Sequence, residues 1–261
     1  MKILVTVSEV AEADDEFEID GLSIDDRYLT FDLNEWDNYA IEEAVQLSES
    51  HDDVEVVTVT IGPERAEETI RQGLAKGADR AIRVWDDELA EEDLLDASTK
   101  ARLVAAVARE EEPDLILSGV QTGDMAFAAT GVALAAAIDY EWAAVVNQLE
   151  FDPDSDVTNV HRELEGGVVE ITDVEMPSVL TIQTGINEPR YASLRGIRQA
   201  QTKPLDVTTP DELGVELGQS VLSLTSLEEP ETESDVEFFE GGAEDAAGQL
   251  AELLRERGVG A

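Results

Sequence analysis

Cysteine is absent from the 261 residues. That removes disulfides, thiolate zinc sites, iron-sulfur ligation and a cysteine nucleophile from anything this chain does by itself. Lysine is scarce, with Lys2, Lys76, Lys100 and Lys203 the only examples among 17 basic side chains set against 61 acidic ones. A formal charge of -44 offers no basic surface to duplex nucleic acid or to an anionic membrane. His51 and His161 stand alone, and no carboxylate cluster has ligand spacing, so no metal is assigned. No apolar run approaches the ~18 residues of a membrane helix, and the opening run at residues 3–7 is too short for a signal peptide. The chain reads as soluble and cytoplasmic.

What is present is a periodic apolar pattern, 43% of the sequence, sufficient for one substantial core. The acidity therefore coats a folded surface rather than marking disorder, which is the habit of halophile proteins. At salt near ~1 M the Debye length is about 3 Å and crowded carboxylates hardly repel; at ~0.01 M it is about 30 Å and repulsion accumulates. Loss of structure or of subunit contact at low salt is the expectation.

Along the chain, a β-branched strand at residues 3–7 precedes an irregular acidic loop or hairpin at 8–26. A helix over 34–50 and a strand over 54–61 follow, the latter ending in Gly62-Pro63. Pro63 suits the first turn of a helix through 64–76, Gly77 its stop, and 81–85 the next strand. Helices over 93–110 and 125–138 flank a buried strand at 114–119. This alternation predicts an α/β fold, a mostly parallel sheet covered by helices on both faces with right-handed crossovers. From 143 onward, short strands separated by acidic turns predict added antiparallel strands. Residues 204–233 read as a linker and 243–257 as an amphipathic helix, giving a domain over 1–205 and an extended C-terminal tail over 206–261.

In such a sheet, ligands sit beyond the carboxyl ends of strands, where glycine turns expose backbone N–H groups at helix N-termini. Three segments qualify: Thr6-Val7-Ser8, Ile61-Gly62-Pro63, and the turn from Ser118 through Gly119-Val120-Gln121-Thr122-Gly123-Asp124 into a helix. The third is neither a Rossmann fingerprint nor a P-loop with its lysine, and spacing alone leaves phosphate binding and ordinary turn geometry equally open.

The string Asn187-Glu188-Pro189-Arg190-Tyr191, with Ser193-Leu194 after it, is similar to the signature of electron-transfer flavoprotein β-subunits. The likeness extends through Gly62-Pro63-Glu64-Arg65, Gly77-Ala78-Asp79-Arg80 and Tyr39-Ala40-Ile41-Glu42-Glu43-Ala44, covering roughly residues 1–220. The resemblance implies a doubly wound, Rossmann-like sheet of adenine-nucleotide-binding type, with a nucleotide site holding AMP, or a second FAD in electron-bifurcating members, beside an FAD held mainly by an α-subunit. By position, Thr6, Asn34 and Ile61 would line the adenosine. Gly119, Val120, Gln121 and Asp124 match the phosphate-side loop; Ala128, Ala129, Thr130 and Gly131 fall on its following stretch, with Ala129 replacing the usual glutamine. Leu194, with Tyr191 beside it, matches the family's dehydrogenase-docking loop, while Trp36 matches an aromatic near the subunit boundary. After Leu194, Arg198, Gln199 and Gln201 replace a lysine-rich run. Arg190 and Glu188 are expected to pair and stiffen the signature.

The function so implied is that of an electron-carrier subunit with no catalytic residue. Its partners would be an α-subunit, acyl-CoA-type or other flavin dehydrogenases, and a quinone oxidoreductase. An adenine-nucleotide hydrolase would need a serine- and glycine-rich pyrophosphate loop that Thr6-Val7-Ser8-Glu9-Val10 does not supply. A nucleotide-binding sensor rests on fold analogy alone.

Overall fold

The computed structural model describes residues 1–92, 94–151, 155–218, 220–229, 237–239 and 241–258. Two compact units result, Met1–Leu227 and Glu228–Ala261. The first begins with β1 (Lys2–Thr6), whose continuation β2 (Glu9–Ala13) pairs antiparallel with β5 (Leu29–Leu33) around a small hairpin of β3 (Ile19–Asp20) and β4 (Ser23–Ile24). Then come α1 (Glu35–Ser50), β6 (Glu55–Ile61), α2 (Glu67–Lys76), β7 (Arg80–Val84), the short α3 (Asp87–Ala90), α4 (Ala97–Glu111), β8 (Leu115–Gly119) and α5 (Thr130–Ile138). The strands β9 (Glu141–Glu150), β10 (Val157–Leu164), β11 (Val168–Glu175) and β12 (Ser178–Ile182) lead to α6 (Leu194–Ala200) and β13 (Leu205–Thr208). In the second unit, α7 (Ala243–Glu256) carries Leu250, Leu253 and Leu254 at one-face spacing.

One nine-stranded sheet runs β11-β10-β9-β12-β8-β1-β6-β7-β13. All neighbours from β9 to β13 pair in parallel, and β10 pairs antiparallel with both β9 and β11. The α/β class and the added antiparallel strands are as expected. Alternation along β1 sends Ile3 and Val5 into a core with Ile41, Val45, Ile70 and Leu74 of α1 and α2, and Leu4 into a second core with Leu103, Val104, Val107 and Leu134 of α4 and α5. Each such fully buried Leu or Ile contributes about 1.5–3 kcal/mol relative to exposure. The chain order reverses at β1, with β6 on one side and β8 on the other, so the switch point where doubly wound sheets place ligands lies between β1 and β8.

Four expectations are corrected. Residues 125–129 are not helical: Ala126 and Ala128 take φ of 51° and 50°, which an α-helix cannot contain, so α5 starts at Thr130. The helix expected from 93 starts at Ala97, where the Asp96 carboxylate caps it by accepting from Thr99 N at 2.8 Å; residue 93 itself lies outside the described residues. The expected linker begins with β13, whose residues 205–208 pair with 81–84 of β7, and Leu213, Val215 and Leu217 beyond it pack on the second core. Its residues 219 and 230–233 lie outside the described residues. Arg190 bonds not to Glu188 but to α1, as described below.

Candidate functional site

The carboxyl ends of β1, β6 and β8 open into one cleft of about 810 Å³, part of it exposed to solvent. Thr6, Ile61, Gly119, Val120, Gln121, Asp124, Ala128, Ala129 and Thr130 all line it. Asn34, fully buried at the N-cap of α1, stands behind the wall: its Nδ2 donates to Gln121 O at 2.9 Å and its Oδ1 accepts from Gly123 N at 3.2 Å. It shapes the loop from the rear, so its amide groups are already engaged within the protein.

The loop between β8 and α5 follows from a few residues. Gly119 admits no side chain, because a Cβ there would lie 2.5 Å from Asp37 Oδ1 and 2.7 Å from Trp36 Cβ. Alanines in left-handed conformation at 126 and 128 store strain of the order of 1–3 kcal/mol each, the kind of strain that collects at ligand sites. The N-cap residue of α5, Ala129, has no side-chain cap, and the first intrahelical acceptor is used only at Ala133. The first-turn N–H groups thus need an outside partner, and they carry the positive end of the helix dipole. An anionic group fits this arrangement.

Sequence reading missed Asp37. Its carboxylate is fully buried and accepts from Ser8 N at 2.8 Å and Gly119 N at 3.0 Å, tying the ends of β1 and β8 together. Burial pushes its pKa up to about 6, although the hydrogen bonds from Ser8, Asn34 and Gly119 oppose the rise. Glu9 also lines the cleft; burial raises its pKa, and Arg65, 3.0 Å away, partly offsets that. Lys100 of α4 lines the same cleft and was likewise missed. In a chain of 61 acidic residues, no local pattern distinguishes Glu9 and Asp37 from solvated surface.

The signature segment is built separately. Arg190 binds Glu42 through Nε at 2.8 Å and Nη2 at 3.0 Å, and Glu49 through Nη1 at 2.6 Å and Nη2 at 2.9 Å. Burial alone would raise the pKa of Glu42, but hydrogen bonds from Arg190 and Gln46 outweigh it and the net shift is downward. Lys76 Nζ donates to Arg190 O at 2.6 Å, and Asn187 Nδ2 to Glu43 Oε2 at 2.9 Å. Beyond this anchor Tyr191 is 98% and Leu194 79% exposed, with the half-exposed Ile197 one turn on. The helix α6 sits close on α2, since a Cβ at Gly196 would run into the carbonyl oxygen of Ala75. Trp36 is half-buried and donates from Nε1 to Gln183 Oε1 at 3.0 Å.

Topology and cleft together define a doubly wound α/β protein with an open cleft at its sheet switch point. Residues 21–213 match the family described as the electron transfer flavoprotein domain. The chain is 42% identical over 264 residues to the electron transfer flavoprotein subunit beta of Methylophilus methylotrophus, covering 98% of each. It is 34% identical to the subunit beta of Bradyrhizobium diazoefficiens, over 99% of this chain and 100% of that one, and 38% identical to the human subunit beta over 76% of each. The chain belongs to the electron transfer flavoprotein β-subunit family.

Proposed function

We propose that this chain pairs with an α-subunit, holds AMP as a structural nucleotide in the β1/β8 cleft, and helps present the FAD of the α-subunit between donor dehydrogenases and a quinone-linked oxidoreductase. The observation that carries the reading is the convergence in one cleft of strand-end positions matching the family's nucleotide segments, with an uncapped helix N-terminus at Thr130. Thr6, Val59, Ile61 and Val104 supply an apolar wall suited to an adenosine, while the first turn of α5 suits its phosphate. FAD, when bound, supplies the electron-carrying chemistry; the residues of this chain bind, orient and dock, and none is assigned a catalytic role.

The exposed Tyr191 and Leu194 would seat in a dehydrogenase pocket, an apolar anchor with a polar rim, and the leucine face of α7 would lie on the α-subunit. Trp36 would stand near the boundary between the subunits. Among the described residues no helix is long and apolar enough to cross a membrane, and the proposed setting is the cytoplasm at high salt. Co-expression with an α-subunit in molar salt, followed by denaturation and chromatography, tests the reading. One FAD and one AMP per heterodimer are expected. Two FAD would assign the β-cleft to the electron-bifurcating type instead, and no complex with no nucleotide would overturn the proposal.

A further inference from the structure

We propose that Lys100 is the residue of this chain that neutralises the phosphate of the nucleotide in the β1/β8 cleft, an inference that rests on the functional reading above. The charged side chains lining the cleft are Glu9, Asp37, Asp124 and Lys100. Three are carboxylates, so without a cation the cleft would repel a phosphate, whose two negative charges need a charge-assisted partner in a partly desolvated site.

Two of those carboxylates are already committed elsewhere. Glu9 faces Arg65, and Asp37 accepts from the Ser8 and Gly119 N–H groups, one on each carboxylate oxygen. The exposed Asp124 accepts from Met125 N at 2.7 Å. None of them holds Lys100.

The other lysines of the chain are all spent within the fold. Lys2 pairs with Glu111 at 2.8 Å, Lys76 donates to Arg190 O, and Lys203 donates to carbonyl oxygens at the end of α2. Among the described residues, the Lys100 Nζ has no ion-pair or hydrogen-bond partner. An amine left free in a chain of net charge -44 is surrounded by potential carboxylate partners. Its half-buried place on the cleft wall, together with the uncapped start of α5, reserves it for an anion that comes from outside. The compact ammonium on a flexible stem suits phosphate as a point charge.

AMP and adenosine differ only in the phosphate, so comparing their binding isolates what Lys100 does to that group. Binding of AMP and of adenosine to the heterodimer, stripped of nucleotide by dialysis, is measured by calorimetry for the wild type, Lys100→Gln and Lys100→Arg, with circular dichroism to check the fold. Lys100→Gln is expected to weaken AMP by roughly tenfold or more, the scale of a hydrogen bond to a charged group, and to leave adenosine within about twofold. Lys100→Arg keeps the charge and recovers most of the AMP affinity. Between molar and lower salt, AMP affinity changes less in Lys100→Gln than in the wild type.

Equal weakening of AMP and adenosine would overturn the inference by making Lys100 part of the cleft's shape. An unchanged AMP-to-adenosine ratio in Lys100→Gln would overturn it as well, while leaving AMP binding by the family site intact. Failure of the wild-type heterodimer to bind either compound would instead remove the functional reading on which the inference rests.

Discussion

The centre of the sheet and its antiparallel edge are built from similar residues to opposite ends. Every residue of β8 and β12 is buried, and β1 is open only at Lys2, because helices cover both faces. In β11, by contrast, Val168, Val169 and Ile171 are 52–62% exposed, and Trp142 at the start of β9 is 47% exposed. Apolar character thus means core in one place and open surface in the other. The cleft belongs to the centre, where strand ends are fixed by packing from both sides; the edge supplies surface rather than rigidity.

The largest contrast is expected from truncating one side chain in each region. Leu117→Ala in β8, fully buried, should cost about 3 kcal/mol, whereas Ile171→Ala in β11 should stay within about 0.5 kcal/mol. Urea unfolding at constant high salt measures both. Similar costs would mean that β11 is covered in solution and that the edge is packed as the centre is.

A smaller effect distinguishes the two ends of the central strands. At the carboxyl end, Asp37 has its pKa raised from 3.8 to about 6, so its favourable contribution to stability is full below pH 3.8 and lost as the pH rises through 6. At the amino end, hydrogen bonds from Arg80 and then Lys2 hold Glu111 at about 2 against an ordinary 4.5; its contribution is full above pH 4.5 and lost as the pH falls toward 2. The unfolding midpoint should therefore rise from pH 7 to about 5 and drop below 4.5. Asp37→Asn should abolish the upper slope and Glu111→Gln should flatten the acid limb. An unaltered rise between pH 7 and 5 in Asp37→Asn would show that surface charge, not this carboxyl, sets it.

The smallest stability change is expected at the signature tip. Leu194→Ala, at a side chain 79% exposed, should leave the midpoint unchanged within about 0.5 kcal/mol and, on the docking role proposed for it, slow electron transfer from a donor dehydrogenase. A clear loss of stability would place Leu194 in a packed contact and remove it from docking.

The central strands were legible because burial on two faces writes continuous apolar runs, such as Leu115-Ile116-Leu117. Their glycine-bearing ends pointed to the cleft for the same reason. What escaped was non-local or unfavoured by propensity. Alanine is the strongest helix former, so 125–129 looked helical, yet Ala126 and Ala128 are held left-handed. The segment after Pro204 is rich in threonine and acid, and β13 exists only because β7 offers it an edge. Glu42 and Glu49 lie more than a hundred residues from Arg190, and charge alone could not select them from so many carboxylates.

The seat of α6 on Ala75, closed by the missing side chain of Gly196, divides labour between mount and tool. The mount tolerates no added atom, while Tyr191, Leu194 and Ile197 project into solvent with little holding them to a given identity. On the docking role proposed for this tip, substitution at those three positions would redirect the subunit to a different clientele at almost no thermodynamic cost, whereas a single methyl group at Gly196 would displace the whole tip at once.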